Sequence, residues 1–453
     1  MTSGRPRVSD RHHTVLGNGS KPQWRVRVPQ HITKIGSLVT TQTSETSTFT
    51  PFPWVGLLSL ACAIFVSVTS EFLPTGLLPE MAQDMGVGLS TTGLLVTIFA
   101  GTVVIATTPL AVLTQRYSRK PLVVLVLGVI ALANVLAALA PSYGMLVSAR
   151  VLGGLAHGLF WAVVAAYSAH LVPKHQLGRA VAITAGGGSA AFVLGVPAGT
   201  TLGHALGWRA AFAILGGIVL VIAVVVIKFL PPVNHQLPLK TGEAAVPLRK
   251  DRSLKGVILV CAIIVIIMAG QNTFYTYIAP WLIQAAGFSS ASVAFLLLLL
   301  GGSGAVGLVL AGLAADRFPK RGFALAVLAV VGSVFVLALV SANPVVVVVA
   351  FVLWGTAFGG VPAMLQTRML HTASYQMRNL AAALQTTAFN VGIGGGALIG
   401  GALLDGPGIR SLPIVEIMFL TTGLALSLGA DAIHSKRVHR QTRRVRRKPA
   451  VRG

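Results

Sequence analysis

Two ionisable side chains fall inside long apolar stretches of the sequence. Glu71 interrupts the apolar run 54–78, and Arg150 interrupts the run 144–170. A charged group in hydrocarbon is costly and usually marks a functional site. Each residue lies several positions from one end of its run, which at ~1.5 Å per residue places both roughly 10–12 Å below the same membrane surface. A carboxylate and a guanidinium at one depth could pair, and their separation would let Glu71 take up or release a proton. A structural ion pair or a helix cap is the alternative.

The run that contains Arg150 carries two further side chains at helical spacing. His157 and Trp161 share one stripe of an α-helix with Arg150, and Gly154 lies beside it. This stripe could line a cavity. His157 could equally form a hydrogen bond between helices, and Trp161 could equally be part of the packing.

Amide and aromatic side chains recur in two later apolar runs. They are Gln271, Asn272 and Tyr275 in one run, and Gln385, Phe389 and Asn390 in the other. A few polar groups in an otherwise apolar pocket suit an amphipathic organic ligand. Hydrogen bonds that pack helices together explain these residues about as well.

The elements that must position these side chains are transmembrane helices. The chain is 54% hydrophobic and only 10% charged, with a mean hydropathy of +0.79, whereas soluble domains carry about 25% charged residues. Apolar runs close to the ~20 residues that cross a bilayer recur twelve times. The predicted spans are 54–78, 91–114, 121–140, 144–170, 180–203, 210–230, 256–280, 290–314, 322–341, 344–367, 379–404 and 412–432. Transmembrane β-strands alternate apolar and polar residues, and these runs do not, so the predicted fold class is an all-α membrane protein.

The positive charge predicts the orientation. The formal net charge is +24. If the N-terminus is cytoplasmic, Arg209 and Arg410 are the only basic residues in the outside loops, and Arg150 lies within a helix. All other Lys and Arg residues then face the cytoplasm, as the positive-inside rule requires. We predict a multi-pass protein of the bacterial inner membrane with both termini cytoplasmic.

Both ends of the chain are predicted to be polar tails. Residues 1–50 are basic and rich in Ser and Thr, which indicates a disordered N-terminal tail without a signal peptide. Residues 433–453 form a basic C-terminal tail, which we expect to contact anionic lipid and not nucleic acid. Cys62 and Cys261 fall inside spans, and we expect neither a disulfide nor a metal site from them.

The sequence contains an internal repeat. A shift of 201 residues places Glu71 on Asn272, Pro79 on Pro280 and Arg209 on Arg410 without a gap. The repeat predicts a six-helix N-terminal half at 51–230, a cytoplasmic linker at 231–255 and a six-helix C-terminal half at 256–432. Parallel halves of this kind are a transporter architecture with the substrate site between them. Because Glu71 maps onto a neutral amide, we expect proton coupling to reside in the first half.

Three short motifs could control movement of the helices. Basic clusters follow the second span of each half and could latch one conformation, although simple anchoring of helix ends is the alternative. The clusters are Gln115, Arg116, Arg119 and Lys120 in the first half, and Asp316, Arg317, Lys320 and Arg321 in the second. Gln115 stands where the second copy has an acid, so the first latch is predicted to be weaker. In the fifth span, Gly195, Pro197 and Gly199 predict close packing and a pliable hinge.

With these motifs the chain resembles the major facilitator superfamily. The basic clusters, Arg150-x3-Gly154-x3-Gly158 and Gly195-Val-Pro197-Ala-Gly199 are similar to motifs of its drug:proton antiporter group, which includes sugar-efflux, arabinose-efflux and chloramphenicol-resistance proteins. The resemblance covers about 54–432. It implies twelve transmembrane helices in two six-helix repeats and export of a drug, sugar or nucleoside-like molecule in exchange for protons. Proton-coupled import is the main alternative, and a channel or receptor is a more distant one.

Several other function classes are excluded or disfavoured by the sequence. A soluble enzyme is incompatible with the hydropathy, and the chain shows no nucleotide-binding loop or metal-binding motif of an enzyme. We therefore expect a non-enzymatic transporter without a cofactor, and we expect a monomer. The sequence does not indicate the substrate.

Overall fold

Helices account for nearly all of the chain that a computed structural model of the protein describes. The described residues are 52–114, 116–172, 176–232, 251, 253–315, 319–374 and 377–446. Within them, twelve helices are long and apolar enough to cross a membrane. Many of their large apolar side chains are exposed, as lipid-facing residues are. The all-α membrane fold with twelve spans is confirmed.

The first six spans are built from seven α-helices. They are α1 (Trp54–Met85), α2 (Leu89–Leu113), α3 (Arg119–Ala138), α4 (Tyr143–Leu171), α5 (Leu177–Ala190), α6 (Val196–Leu206) and α7 (Trp208–Phe229). The helices α5 and α6 form one span, because a π-turn at Ala191–Gly195 joins them.

The last six spans are built from eight α-helices. They are α8 (Leu254–Tyr275), α9 (Ile278–Gln284), α10 (Ser290–Ala315), α11 (Pro319–Leu339), α12 (Pro344–Gly359), α13 (Val361–Thr372), α14 (Arg378–Asp405) and α15 (Leu412–Arg446). The pairs α8–α9 and α12–α13 each make one interrupted span. The helix α15 continues into the basic tail and ends at Arg446, well beyond the predicted end of the last span.

The helix α1 is longer than its apolar run predicts. It continues through Pro74 and Pro79 to Met85, so the predicted end at residue 78 is wrong. Transmembrane helices tolerate proline where neighbouring side chains satisfy the freed backbone groups. Glu71 consequently lies near the middle of a 32-residue helix. It lies roughly 20 Å along the helix axis from the end of α1 at Met85.

The π-turn in the fifth span has a local cause. Pro197 has no N–H, and its ring would clash with the carbonyl four residues earlier in a regular α-helix. The N–H of Val196 instead bonds to the carbonyl of Ala191, five residues earlier. The helix therefore widens by one residue directly before Pro197.

The helices α1–α7 contact the helices α8–α15 mainly near one end of the bundle. We call this the α1–α2 end, because α1 ends there and α2 begins there. The contacting pairs include α2 with α14, α1 with α9, and α10 with α6 and the π-turn. In one of these contacts, the hydroxyl of Thr97 donates to the carbonyl of Gly394 over 3.0 Å. The predicted domain boundaries stay a prediction, and residues 1–50 lie outside the described residues.

Candidate functional site

Arg150 is buried and binds the backbone of α1. Its guanidinium donates to the carbonyl oxygens of Ser70 and Glu71 over 2.9 Å and 2.8 Å. Pro74 explains why the carbonyl of Ser70 is available, because a proline at the fourth position after it offers no N–H. The guanidinium also lies 4.2 Å from the centre of the Phe99 ring on α2. Arg150 thus joins α1, α2 and α4 at one point.

The carboxyl group of Glu71 faces His157. Its Oε2 lies 3.3 Å from Nε2 of His157, and both side chains are almost fully buried. The sequence predicts an ion pair between Glu71 and Arg150, whereas the structure pairs Arg150 with the main chain of Glu71 and His157 with its side chain. The helical spacing had placed both α4 residues on one stripe but could not assign their atomic partners.

His157 is held on its other sides by two neutral side chains. The indole N–H of Trp161, one turn along α4, donates to Nε2 of His157 over 2.7 Å. The hydroxyl of Ser67 on α1 lies 2.8 Å from Nδ1 of the same ring. The predicted stripe of Arg150, His157 and Trp161 is therefore continuous in the structure. We call Ser67, Glu71, Arg150, His157 and Trp161 the Glu71 cluster.

A small polar extension leads from the Glu71 cluster toward α3. The hydroxyl of Ser70 donates to the side-chain carbonyl of Asn134 over 3.0 Å. These two residues and Arg150 line a cavity of about 10 Å³. The Nε group of Arg150 is buried and has no hydrogen-bond partner. Polar groups from three helices therefore converge beside the guanidinium.

The predicted amides of the second half form separate contacts. The indole of Trp354 donates to the Gln271 side chain over 3.2 Å. The amides of Asn272 and Asn390 donate to carbonyl groups one turn earlier in their own helices, and the Oδ1 of Asn390 is buried without a partner. Gln385 is half-buried, and Phe389 packs against the apolar core. Among the described residues, no hydrogen bond or ring contact links Gln385 or Phe389 to the Glu71 cluster, so their place in a substrate cavity stays a prediction.

Aromatic rings connect the two groups of helices next to Glu71. The ring centres of Phe72 on α1 and Phe192 on the π-turn are 4.8 Å apart. Tyr275, at the end of α8, lies 6.2 Å and 6.3 Å from these two rings. This aromatic cluster joins α1 and the π-turn to α8, and Phe72 follows Glu71 directly in the sequence.

The sequence also matches a family model over most of this region. The model of the Major Facilitator Superfamily matches residues 60–397. The chain belongs to this superfamily.

Curated relatives agree with this assignment. The chain is 30% identical over 354 residues to a "Probable sugar efflux transporter" of Helicobacter pylori, with 78% of this chain and 88% of the relative covered. It is 30% identical over 372 residues to another of the same name from Pasteurella multocida, with 82% and 90% covered. The protein is thus a secondary transporter of the superfamily and not an enzyme.

Solved structures show the same fold. A bacterial homolog of the human lysosomal transporter Spinster, in an inward-facing and occupied conformation, matches with a TM-score of 0.69 and 15% identity, covering 84% of this chain and 97% of that one. A human organic anion transporter matches with a TM-score of 0.66 and 14% identity, covering 83% and 100%. Two six-helix repeats of the major facilitator fold are therefore shown.

The gating motifs of the superfamily are only partly described. Arg116 and Arg321 are exposed, and Arg119 and Lys120 are half-buried near the start of α3. Gln115, Asp316 and Arg317 lie outside the described residues, and so does the side chain of Lys320. The predicted latches therefore stay a prediction.

The small residues of the fifth span pack against α1. A Cβ atom at Gly195 would overlap the hydroxyl of Thr69, and one at Gly199 would come within 2.5 Å of Leu73, measured to its Cδ1. Pro197 is the second residue after the π-turn. The close packing that the motif predicts is present, and the role of these residues as a hinge stays a prediction.

Sequence reasoning missed several residues of this superfamily member's site. Ser67 lies one turn before Glu71, so helical spacing could have found it. Pro74 is visible in the sequence four residues after Ser70, but sequence reasoning did not infer the carbonyl that it frees. Asn134, Phe99 and Phe192 come from other helices, and no periodicity within α1 indicates them.

Proposed function

We propose that this transporter exports a small organic molecule from the cytoplasm in exchange for protons, with sugars as the first substrate class to test. The names of the curated relatives support efflux and sugars. The buried carboxyl group of Glu71 supports the exchange for protons, and it is the observation that carries the proposal. Alternating access would carry substrate and proton in opposite directions through one central region.

Glu71 has the properties that a proton-carrying group needs. Its side chain is buried within apolar helices, where a lone carboxylate is costly and protonation removes the charge. Its neighbours, His157 and the Arg150 guanidinium, lie on α4, so a movement of α4 relative to α1 would change the electrostatic environment of the carboxyl group. The corresponding residue of the second half, Asn272, cannot carry a proton in this way. Coupling in the first half is therefore the simplest arrangement.

The described conformation fits one stage of such a cycle. The two groups of helices meet at the α1–α2 end, which faces outward if the termini are cytoplasmic as the charge distribution predicts. The structure then corresponds to a state closed toward the outside. In this state a proton that entered from outside would be carried on Glu71 toward the cytoplasm, and the substrate would bind from the cytoplasm.

The test uses everted membrane vesicles from a bacterial inner membrane that contains the protein. A panel of radiolabelled mono- and disaccharides, with chloramphenicol as a separate drug arm, is offered under an imposed proton gradient. We expect uptake of at least one sugar into the everted vesicles, and we expect a proton uncoupler to abolish its accumulation. Glu71→Gln should abolish gradient-driven accumulation at normal expression, because the amide cannot carry the proton.

Glu80→Gln is the matched control, since Glu80 is also an acid of α1 but pairs with His204 near the helix end. We expect this variant to retain gradient-driven transport. Full accumulation by Glu71→Gln would overturn the proposal for Glu71, and transport that ignores the uncoupler would overturn proton exchange itself. Accumulation only in right-side-out vesicles would identify an importer, and flux that does not saturate would indicate a channel.

A further inference from the structure

The contacts of His157 determine which of its nitrogen atoms carries a hydrogen. The indole N–H of Trp161 is a donor only, and it points at Nε2 over 2.7 Å. Nε2 must therefore offer its lone pair and carry no hydrogen. The ring hydrogen is then on Nδ1, where it faces the hydroxyl oxygen of Ser67 at 2.8 Å. His157 is thus a neutral imidazole in one tautomer, fixed by the neighbouring tryptophan.

This tautomer has a consequence for Glu71. Its Oε2 lies 3.3 Å from the same Nε2. Because the lone pair of Nε2 already accepts the indole N–H of Trp161, Nε2 has no hydrogen to donate to a carboxylate. A carboxylate would therefore place a negative oxygen against an electron-rich nitrogen without a hydrogen bond, whereas a protonated carboxyl group removes that negative charge. The arrangement around His157 therefore favours the protonated form of Glu71 in this conformation.

We infer that Trp161 is a positioning residue for the transported proton, acting on Glu71 through the tautomer of His157. The inference rests on the proposed role of Glu71 as the proton carrier and adds the residues that set how tightly the proton is held. Trp161 acts through His157, to which its indole N–H is hydrogen-bonded. Without its N–H, Nε2 would be free to take a hydrogen and donate to the carboxylate, which would favour proton release.

Charged and titratable side chains approach Glu71 from the helices packed around it. Within the described residues, the titratable or charged side chains in this region are Arg150 and His157 on α4, and Tyr275 on α8, which reaches Phe72. The positive charge of Arg150 favours the carboxylate, although its N–H groups bind the main chain. The lone pair of His157 therefore opposes Arg150, and a shift of α4 would change both influences together.

The test is a pH titration of the purified protein by infrared difference spectroscopy, which requires no substrate. The carbonyl stretch of protonated carboxyl groups is followed, and the contribution that Glu71→Gln removes is assigned to Glu71. The contribution of Glu416, a second fully buried carboxyl group, is identified in the same way with Glu416→Gln and subtracted from the spectrum. We expect Trp161→Phe to move the titration midpoint of Glu71 to lower pH. The expected shift corresponds to a roughly tenfold loss in proton affinity, which is the typical effect of losing one hydrogen bond.

A second variant, closer in shape to tryptophan, keeps the test valid if Trp161→Phe does not fold. Incorporation of 3-benzothienylalanine at position 161 keeps the shape of the double ring and removes only the N–H. Trp208→Phe is the matched control, since the indole of Trp208 donates to Asp84 far from His157. We expect the benzothienyl variant to shift the midpoint and the Trp208 variant to leave it unchanged.

The outcomes distinguish the two proposals. An unchanged Glu71 midpoint in the benzothienyl variant would overturn the role of Trp161 and leave Glu71 as the proton carrier. A midpoint that moves to higher pH would overturn it as well. If Glu71→Gln removes no protonated band at any pH, Glu71 does not hold a proton and both proposals fail.

Discussion

At the scale of single residues, the site depends on a proline that is not itself polar. Pro74 leaves the carbonyl of Ser70 without its intrahelical partner, and Arg150 supplies the missing hydrogen bond from another helix. The planar guanidinium suits this task because it donates two parallel hydrogen bonds to successive carbonyl groups. A helix defect and a buried cation therefore compensate each other.

Arg150→Lys tests this compensation. The ammonium group of lysine cannot reproduce the two-pronged contact, so one carbonyl loses its charged partner, at a cost of about 1.5–3 kcal/mol. We expect a lower unfolding temperature for the purified protein in detergent. Pro74→Ala supplies an N–H to the carbonyl of Ser70 and should reduce the loss caused by Arg150→Lys.

A double-mutant cycle measures this coupling directly. Pro109→Ala is the matched control, because Pro109 also lies inside a helix, α2. It should leave the effect of Arg150→Lys unchanged. Strictly additive effects of Pro74→Ala and Arg150→Lys would show that the proline does not supply the carbonyl that Arg150 binds.

The residues of the Glu71 cluster could be predicted better than their partners. Helical spacing placed Arg150, His157 and Trp161 on one stripe, and the cost of charge in lipid singled out Glu71. Periodicity gives the face of a helix and not the rotamer of a side chain. For that reason it predicted a Glu71–Arg150 ion pair, where the structure has a contact between Glu71 and His157.

At the scale of elements, the start of the first helix of each six-helix half is anchored to residues at or just before the start of the fifth span of that half. At the start of α1, the rings of Phe52 and Trp54 each lie 4.5 Å from the guanidinium of Arg179 on α5. Before α8, the carboxylate of Asp251 accepts a hydrogen bond of 2.5 Å from the hydroxyl of Ser374, which follows α13. The two halves therefore use different chemistry at a corresponding place.

The anchor before α8 predicts a dependence on pH. The hydrogen bond from Ser374, with further bonds from Ser253, lowers the pKa of Asp251 below its ordinary value. A carboxylate with a lowered pKa stabilises the folded state at neutral pH, and this contribution is lost as the pH falls through the folded pKa. We expect Asp251→Ala to lower the unfolding temperature at neutral pH, and we expect the difference from the natural protein to shrink below about pH 4.

Unfolding temperatures of the purified protein across pH provide the measurement. Ser374→Ala removes the other partner of the same bond and should reproduce this pH dependence. An Asp251→Ala deficit of equal size in acid and at neutral pH would show that the charge of Asp251 makes no contribution.

The elements themselves were largely predictable, and their ends were not. Hydropathy predicts twelve spans because a bilayer requires apolar segments of a minimum length. The apolar run stops at residue 78, directly before Pro79 and Glu80, whereas α1 continues past both to Met85. The π-turn was equally hidden, since only the structure shows which carbonyl Val196 binds.

At the scale of the whole molecule, the internal repeat predicts two similar halves but not the state in which they meet. The arrangement of the two halves depends on backbone contacts between helices that are not copies of each other in the repeat. Gly301 of α10 closely approaches the main chain of the π-turn. A Cβ atom at position 301 would lie 2.7 Å from the carbonyl carbon of Phe192 and 2.9 Å from Cα of Val193. Gly302, its neighbour, has no such atoms within 4 Å of a Cβ position.

These two glycines provide a matched test of closure at the α1–α2 end. Gly301→Ala should disfavour the closed arrangement by about 1–3 kcal/mol, because the overlapping atoms belong to backbone and cannot rotate away. Gly302→Ala should have little effect. Spin labels at Leu206→Cys and Val345→Cys, both exposed near this end, report the distance between the halves once Cys62 and Cys261 have been replaced.

We expect Gly301→Ala to increase the population with a longer distance and to slow transport, since each cycle must close this end. The Gly302→Ala variant should show the distance distribution of the natural protein. If both variants give that same distribution, then the contact between Gly301 and the π-turn does not limit closure. In that case the packing of α2 on α14 is the next contact between the two groups of helices to test.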